Sequence, residues 1–194
     1  MQVFEALKQA IKACADVVNW GSGIQEPTRK DLAGELQDIC ARCESAYEVV
    51  LARLAPIKNV ISDPAALAKE LRVFAADADT RAKFKPQHLC GQVDHLLVRL
   101  SSNLDPLKYS IDYRRIQDIR QLLQRFGDYD GAIFQSYDDL AAALDQIATE
   151  IQAGGADQSE RSRYAQHIIQ RFEHELRGTQ TAVRDVKNQM IALI

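Results

Sequence analysis

The feature that most constrains the fold is a long run of regularly spaced apolar residues in the last part of the sequence. They return every three or four positions without interruption: Ala165, Ile169, Phe172, Leu176, Thr179, Val183, Val186, Met190 and Leu193. This spacing keeps them on one face of an α-helix. Because Ile168 widens the stripe and few flanking positions are charged, we expect the helix to pack against several others in its own domain.

The same three-and-four spacing recurs through the rest of the chain. It predicts about seven helical segments, two of them long, at residues 28–61 and 157–193. No stretch alternates apolar and polar residues as a half-buried strand would. The linkers are short, so the predicted fold is an all-α, antiparallel, up-and-down helical bundle. A chain of 194 residues fits a single domain, residues 1–194, with a candidate hinge at residues 154–155.

Two prolines bear on the second predicted helix and on the start of the helix that follows it. Pro56 interrupts the apolar pattern of the long segment at 28–61, and the sequence leaves open whether it kinks that helix or divides it. Asp63 followed by Pro64 predicts a new helix start, since Asp is a favourable capping residue and Pro suits the first turn.

Two further capping pairs predict where later helices begin. Ser136 and Asp139 resemble a capping box ahead of an apolar stripe, so we expect a helix to start near Ser136. Asp157, with Glu160 three residues later, is expected to open the final long helix.

The chain has four cysteines, two of them in the pair Cys40-Ala-Arg-Cys43. Such a pair can bind zinc or exchange disulfides, but here both residues lie in the middle of a predicted helix beside its apolar stripe. Cys14 and Cys90 also lie on or next to apolar stripes. His88 and Cys90 could complete a zinc site with Cys40 and Cys43, but the spacing matches no known ligand pattern. We therefore predict buried thiols and no metal site.

The segment Asp128-Tyr-Asp130-Gly131 lies between two predicted helices and suggests a calcium loop. If Gly131 is the sixth loop residue, Phe126 and Tyr137 occupy the first and twelfth positions, where oxygen ligands are required. The other register, with Asp128 first, also fails. We expect a polar turn that does not bind calcium.

Histidines and paired carboxylates are the remaining candidates for catalysis. His167 and His174 are seven residues apart and lie opposite the apolar stripe, so both are predicted to face solvent. His95, next to Asp94, is expected at the edge of a stripe. The paired carboxylates are predicted to be solvated: Asp138, Asp139, Glu173 and Glu175. No catalytic, cofactor-binding or metal-binding residue is assigned.

The densest basic stretch combines Tyr113 with four arginines: Arg114, Arg115, Arg120 and Arg125. Asp112 and Asp118 lie among them, and the net charge of the chain is −3. Nucleic-acid-binding modules usually present a clear basic face, so we expect no nucleic-acid partner. Phosphate-binding loops and nucleophile-elbow motifs are absent from the sequence as well.

The first residues of the sequence and the lengths of its apolar runs bear on localisation. The first residues lack a basic stretch followed by an apolar run, so no signal peptide is expected. No run of 18 or more apolar residues occurs, and thiols without a disulfide pattern fit a reducing compartment. The predicted localisation is cytoplasmic.

We conclude from the sequence that the protein is non-enzymatic: a helical interaction or regulatory module that binds another protein through a helix face. The alternative is a membrane-perturbing bundle that releases its amphipathic N-terminal helix, residues 3–20. Only Lys8 and Lys12 are basic there, and Glu5 and Asp16 oppose them, which weakens attraction to anionic lipid. The sequence leaves homo-oligomerisation open.

Overall fold

The computed structural model describes residues 2–20, 23–84, 89–124, 129–154 and 157–194. Across these ranges the only regular secondary structure is helical, which confirms the predicted all-α bundle. Eight helices are described: α1 (Gln2–Trp20), α2 (Glu26–Asn59), α3 (Pro64–Ala75), α4 (Ala78–Phe84), α5 (Leu89–Ser102), α6 (Ser110–Gln124), α7 (Tyr129–Ala153) and α8 (Gln158–Ile191).

The prediction of about seven segments missed the short helix α4. Its separation from α3 is caused by Asp77, whose carboxylate accepts hydrogen bonds from the Thr80 backbone amide (3.0 Å) and the Thr80 hydroxyl (2.8 Å). These bonds satisfy donors at the start of a new helix, so the chain turns at Asp77. Burial of Thr80, at 3% exposed, fixes the turn against the core.

Two predicted helix boundaries agree with the structure. The Asp63 carboxylate accepts hydrogen bonds from the amides of Ala65 (3.0 Å) and Ala66 (3.1 Å), as expected of a residue that caps α3. Asp157 precedes the first residue of α8, although its side chain makes no capping hydrogen bond. The break before it includes Gly154, whose φ of 74° suits glycine.

One expected helix start is corrected, and one question that the sequence left open is answered. α7 begins at Tyr129, so Ser136 and Asp139 lie inside the helix and do not cap it. Gln135 Nε2 instead donates to Asp139 Oδ1 at 2.7 Å, an i,i+4 bond on the helix surface. Pro56 does not divide α2, which continues to Asn59.

The two long helices, α2 and α8, make the most extensive helix contact among the described residues. They are antiparallel, since Lys58 near the end of α2 pairs with Glu173 (3.0 Å), whereas Glu44 pairs with Arg184 (2.6 Å) further along α8. α1 packs beside them and runs parallel to α8: its first turn contacts Phe172, with Phe4 at 6.0 Å between ring centroids.

The core includes the region where α1 meets these long helices. The five stripe residues of α1 are each at most 2% exposed: Phe4, Leu7, Ile11, Cys14 and Val18. On α8, Ile169 and Leu176 are fully buried and Val183 is 1% exposed. Most of the predicted apolar stripe of α8 is therefore buried within its own chain, and Phe172 and Leu193 are half-buried. None of the described helices is long and apolar enough to cross a membrane.

Candidate functional site

The cysteines that the structure describes lie in the core. The side chains of Cys14, Cys40 and Cys43 are fully buried, which confirms the predicted burial. Burial raises the pKa of the Cys14 thiol, and it raises that of Cys40 to about 12. A neutral thiol is a poor nucleophile and a poor metal ligand. The side chain of Cys90 and all of His88 lie outside the described residues.

The expected polar turn near residue 128 is only partly covered. Asp128 lies outside the described residues. Asp130 and Gly131 belong to the first turn of α7, so they are helical and not part of a turn. In the described part of the chain, no group of three or more His, Cys, Asp or Glu residues is placed to hold a metal ion.

The arginines of α6 are used mainly in contacts between helices. Arg115 pairs with Asp16 of α1 at 2.6 Å, and Arg120 pairs with Asp94 of α5 at 3.1 Å. Arg114 is exposed, and Arg125 lies outside the described residues. Two of the three described arginines are thus ion-paired with acidic residues of neighbouring helices, and Arg114 is exposed.

The predicted solvation of the carboxylate pairs is wrong for α8. The Glu173 side chain is 12% exposed and is held by Lys58 (3.0 Å) and Arg177 (2.8 Å). Burial opposes its ionisation, but the hydrogen bonds from these two cations hold the pKa of Glu173 below its usual range. The Glu175 side chain is 20% exposed. For Glu173 the cause is the approach of α2, since Lys58 lies 115 positions away from it in the sequence.

The histidines and the first carboxylate pair lie at the surface. His167 and His174 are exposed, as predicted. His95, expected at the edge of a stripe, is exposed, and its Nδ1 lies 3.3 Å from an oxygen of Glu35. Asp138 is paired with Arg81 of α4 at 2.6 Å.

Several of these residues line a cavity of about 450 Å³ between α7 and α8. Its apolar side chains come from three helices: Phe4 of α1, Leu140 and Ala143 of α7, and Ile168 and Phe172 of α8. Its polar side chains include Asp139, His167, Arg171 and Glu175. An apolar floor with a few polar groups at the rim is the usual composition of a binding site.

A second cavity, of about 360 Å³, continues along α8 between that helix and α1. Phe4 and Glu175 line both cavities, so the two adjoin. The second is also lined by Glu5 and Lys8 of α1 and by Gly178. We refer to the two cavities together as the α8 groove.

The α8 groove follows one face of its helix for about four turns. The α8 residues along it include Tyr164, Ile168, Phe172, Glu175 and Thr179, at spacings of four, four, three and four. From the first to the last of these the helix rises about 22 Å. Tyr164, at 53% exposed, stands at the open end.

Gly178 lies in the second cavity, in the interior of α8. A Cβ atom added there would meet nothing within 4 Å, so the space above this backbone is empty. Glycine within a helix costs about 1 kcal/mol relative to alanine. No side chain covers the helix backbone at this point of the groove, so a partner could approach the backbone closely here.

The charges along the α8 groove are nearly balanced. Arg171 and Glu175 form an i,i+4 ion pair at 3.8 Å, and Glu5 pairs with Lys8. The second carboxylate oxygen of Glu175, Oε2, is buried and has no hydrogen-bond partner among the described residues. A buried acceptor without a donor is unfavourable, and a donor from a bound molecule would remove that cost.

Sequence reasoning did not identify this groove. The signal available was Ile168, which widens the apolar stripe of α8 beyond what α1 and α2 cover, together with Gly178 in the middle of a strong helical pattern. Neither residue predicts a groove unless the positions of α1 and α7 are also known.

Comparison of the chain with protein-family models, with curated proteins and with solved structures gives no match.

Proposed function

We propose that this protein is a non-enzymatic helical interaction and regulatory module that binds another protein by taking an amphipathic helix of the partner into the α8 groove. The observation that carries the proposal is the continuity of the groove over about four turns of α8. Amphipathic helices bind other proteins by laying an apolar face into a groove of this kind, with contacts at i, i+3 or i+4, and i+7.

The dimensions and chemistry of the groove suit such a partner. Its length, about 22 Å, accommodates a helix of about 15 residues. Ile168 and Phe172, both half-buried, offer apolar contacts along the floor, and the exposed Tyr164 and Arg171 stand at the rim. Tyrosine and arginine are among the residues that contribute most to binding energy at protein interfaces.

Gly178 and Glu175 add two positional constraints. Close packing of a partner helix requires a small residue at the crossing point, and Gly178 supplies one with open space above it. A hydroxyl, amide or cationic donor on the partner would satisfy Glu175 Oε2. We expect a partner helix with a small residue near one end of its apolar face and a donor one turn away.

The polar residues of the groove do not form a catalytic arrangement in the part of the chain that is described. A general base needs an orienting partner, and neither His167 nor His174 has a side-chain hydrogen bond to any described residue. The buried Cys14 and Cys40, which have raised pKa values, lie outside the groove lining. This supports a binding role in preference to an enzymatic one.

No observation favours release of α1 onto a membrane. Its stripe residues, from Phe4 to Val18, are all at most 2% exposed, and α1 contacts α2, α5, α6, α7 and α8. Exposing a buried apolar side chain of this size costs about 1.5–3 kcal/mol each. Release of the helix would remove the centre of the core.

A library of amphipathic helical peptides selected against the protein tests the proposal. We expect selected peptides to carry apolar residues at i, i+4 and i+7 and to bind the Gly178→Leu variant at least about tenfold more weakly, because leucine fills the groove. Asn188→Leu is the matched control, since Asn188 is exposed on the same helix outside both cavities. Equal binding to wild type and Gly178→Leu would overturn the proposal.

A further inference from the structure

The end of the bundle remote from the α8 groove exposes three large apolar side chains. Trp20, at the end of α1, is 82% exposed; Leu107, before α6, is 95% exposed; and Ile111, in the first turn of α6, is 82% exposed. Such side chains are usually covered when they occur together, so a group of them marks an interaction surface.

The three residues lie at the same end because α1 and α6 are antiparallel. Asp16 of α1 pairs with Arg115 of α6 at 2.6 Å. Trp20 follows Asp16 by one helical turn, and Ile111 precedes Arg115 by one turn, so both extend from this ion pair in the same direction.

Contact between two loops fixes the position of this end. Gly23, after α1, has φ of 101°, and a Cβ added there would lie 2.5 Å from the ring of Tyr109. The backbone of one loop is therefore packed directly on the aromatic ring of the other. Trp20 and Ile111 lie close to this contact in sequence, three residues before Gly23 and two residues after Tyr109.

Next to these residues, the outer face of α6 contains a cavity of about 330 Å³. It is lined by Ser110, Ile111, Arg114, Arg115 and Asp118. Trp20 is too exposed to be filling it. Arg114 is exposed and forms no ion pair with any residue in the described part of the chain.

We propose that a second copy of this chain covers this end, with Trp20 of each copy inserted into the α6 cavity of the other, over the Arg114 guanidinium. The face of an indole ring attracts a guanidinium, and tryptophan is the best aromatic partner for one. The protruding Trp20 and the α6 cavity lie at the same end of one molecule. A twofold axis between two copies therefore forms both Trp20–cavity contacts at once, and the assembly closes as a dimer.

Charge supports a second copy over a strongly acidic or basic partner. Arg114 and Asp118 lie one turn apart on the outer face of α6, so this face carries both signs. Two such faces can meet in antiparallel orientation with opposite charges opposed. A partner of uniform charge would place a like charge next to either Arg114 or Asp118.

The test uses Trp20, which is the single tryptophan of the chain and therefore reports on this surface alone. Sedimentation velocity and tryptophan emission are recorded on the full-length protein over a wide concentration range. We expect the mass to double and the emission to move to shorter wavelength over the same concentrations. Arg114→Ala is expected to leave the protein folded, by circular dichroism, and monomeric throughout.

Further variants separate the outcomes. Trp20→Ala and Ile111→Asp are expected to abolish the dimer, whereas Val73→Ala, at a residue 45% exposed on α3, is expected to preserve it. Gly178→Leu is also expected to preserve it, since this contact does not depend on the α8 groove. A wild-type protein that stays monomeric, a dimer unaffected by Trp20→Ala, or an emission shift that appears only with anionic lipid vesicles would each overturn the inference.

Discussion

Glu44 of α2 accepts a hydrogen bond at 2.6 Å from Arg184 Nε of α8, which is 140 positions away in the sequence. Lys187 donates to the other carboxylate oxygen. Glu44 is only 8% exposed, so it is a buried acid neutralised by two cations of one neighbouring helix. Its hydrogen bonds fix the register in which the two long helices pack.

Replacing Glu44 by Gln is therefore expected to destabilise the bundle by about 1–2 kcal/mol, since the charge-assisted bonds weaken while the shape is kept. Denaturant unfolding at neutral pH measures the change. Glu48→Gln is the matched control, because the Glu48 side chain is 58% exposed and lies 3.5 Å from the same arginine. A loss no larger than that of the control would show that Glu44 contributes no more than a surface ion pair.

The same residue predicts how stability depends on pH. Hydrogen bonds from Lys187 and Arg184 hold the pKa of Glu44 below its usual range. A carboxyl whose pKa is lowered by folding contributes its full stabilisation of the folded protein above the ordinary glutamate pKa, about 4.3. This contribution is lost as pH falls through the lower pKa of the folded state. The free energies of unfolding of wild type and Glu44→Gln should converge below that pH; a constant difference down to complete protonation contradicts the prediction.

The buried thiols should be inert in the folded protein. In a Cys90→Ser variant, which leaves the three described cysteines, we expect slow reaction with a thiol reagent even near pH 8.5, because burial raises the pKa of Cys14 and raises that of Cys40 to about 12. All three should react at once in denaturant. Fast native reaction, or about one zinc per chain by elemental analysis of the wild-type protein, would contradict burial as the role of these residues.

Val183→Asp tests whether the α8 stripe is held within its own chain. Val183 is 1% exposed, so the variant buries an unpaired carboxylate and should cost about 3 kcal/mol or more. Thermal melting followed by circular dichroism measures this, with the exposed Asn188→Asp as control. An unchanged melting curve at half the wild-type mass would instead place the stripe at a subunit interface.

Gly178→Ala is expected to stabilise the protein by about 0.5–1 kcal/mol, because a methyl group there meets nothing within 4 Å and alanine is the better helix former. Gly23→Ala should do the opposite, since Gly23 has φ of 101° and touches the Tyr109 ring. Denaturant unfolding of both variants shows whether each substitution raises or lowers the free energy of unfolding. A destabilising Gly178→Ala would mean that the space over this helix is already filled.

The sequence predicted those elements whose signal is local and repeated. The α8 stripe and the Asp63 cap could be read directly, because regular apolar spacing and a capping side chain act within a few residues. α4 was missed because alanines on both sides of Asp77 favour a continuous helix, and only the hydrogen bonds to Thr80 reveal the break. Likewise, Ser136 resembled a cap but lies within α7.

What could not be predicted depends on contacts between distant segments. Glu173 was expected in solvent, since nothing near it in sequence indicates that Lys58 approaches. The α8 groove arises from the separation between α1 and α7, two helices more than a hundred residues apart, and no periodicity in either helix specifies that distance.

The pairing of α2 with α8 also affects how the chain acquires its structure during synthesis. α8, 34 residues long, is made after the seven helices that precede it, yet it covers the buried faces of both α1 and α2. Until it emerges from the ribosome, the parts of these two apolar faces that α8 covers stay exposed. Ribosome-bound chains that stop before α8 should therefore be substrates for chaperones, and their release from chaperones should follow the appearance of this final helix.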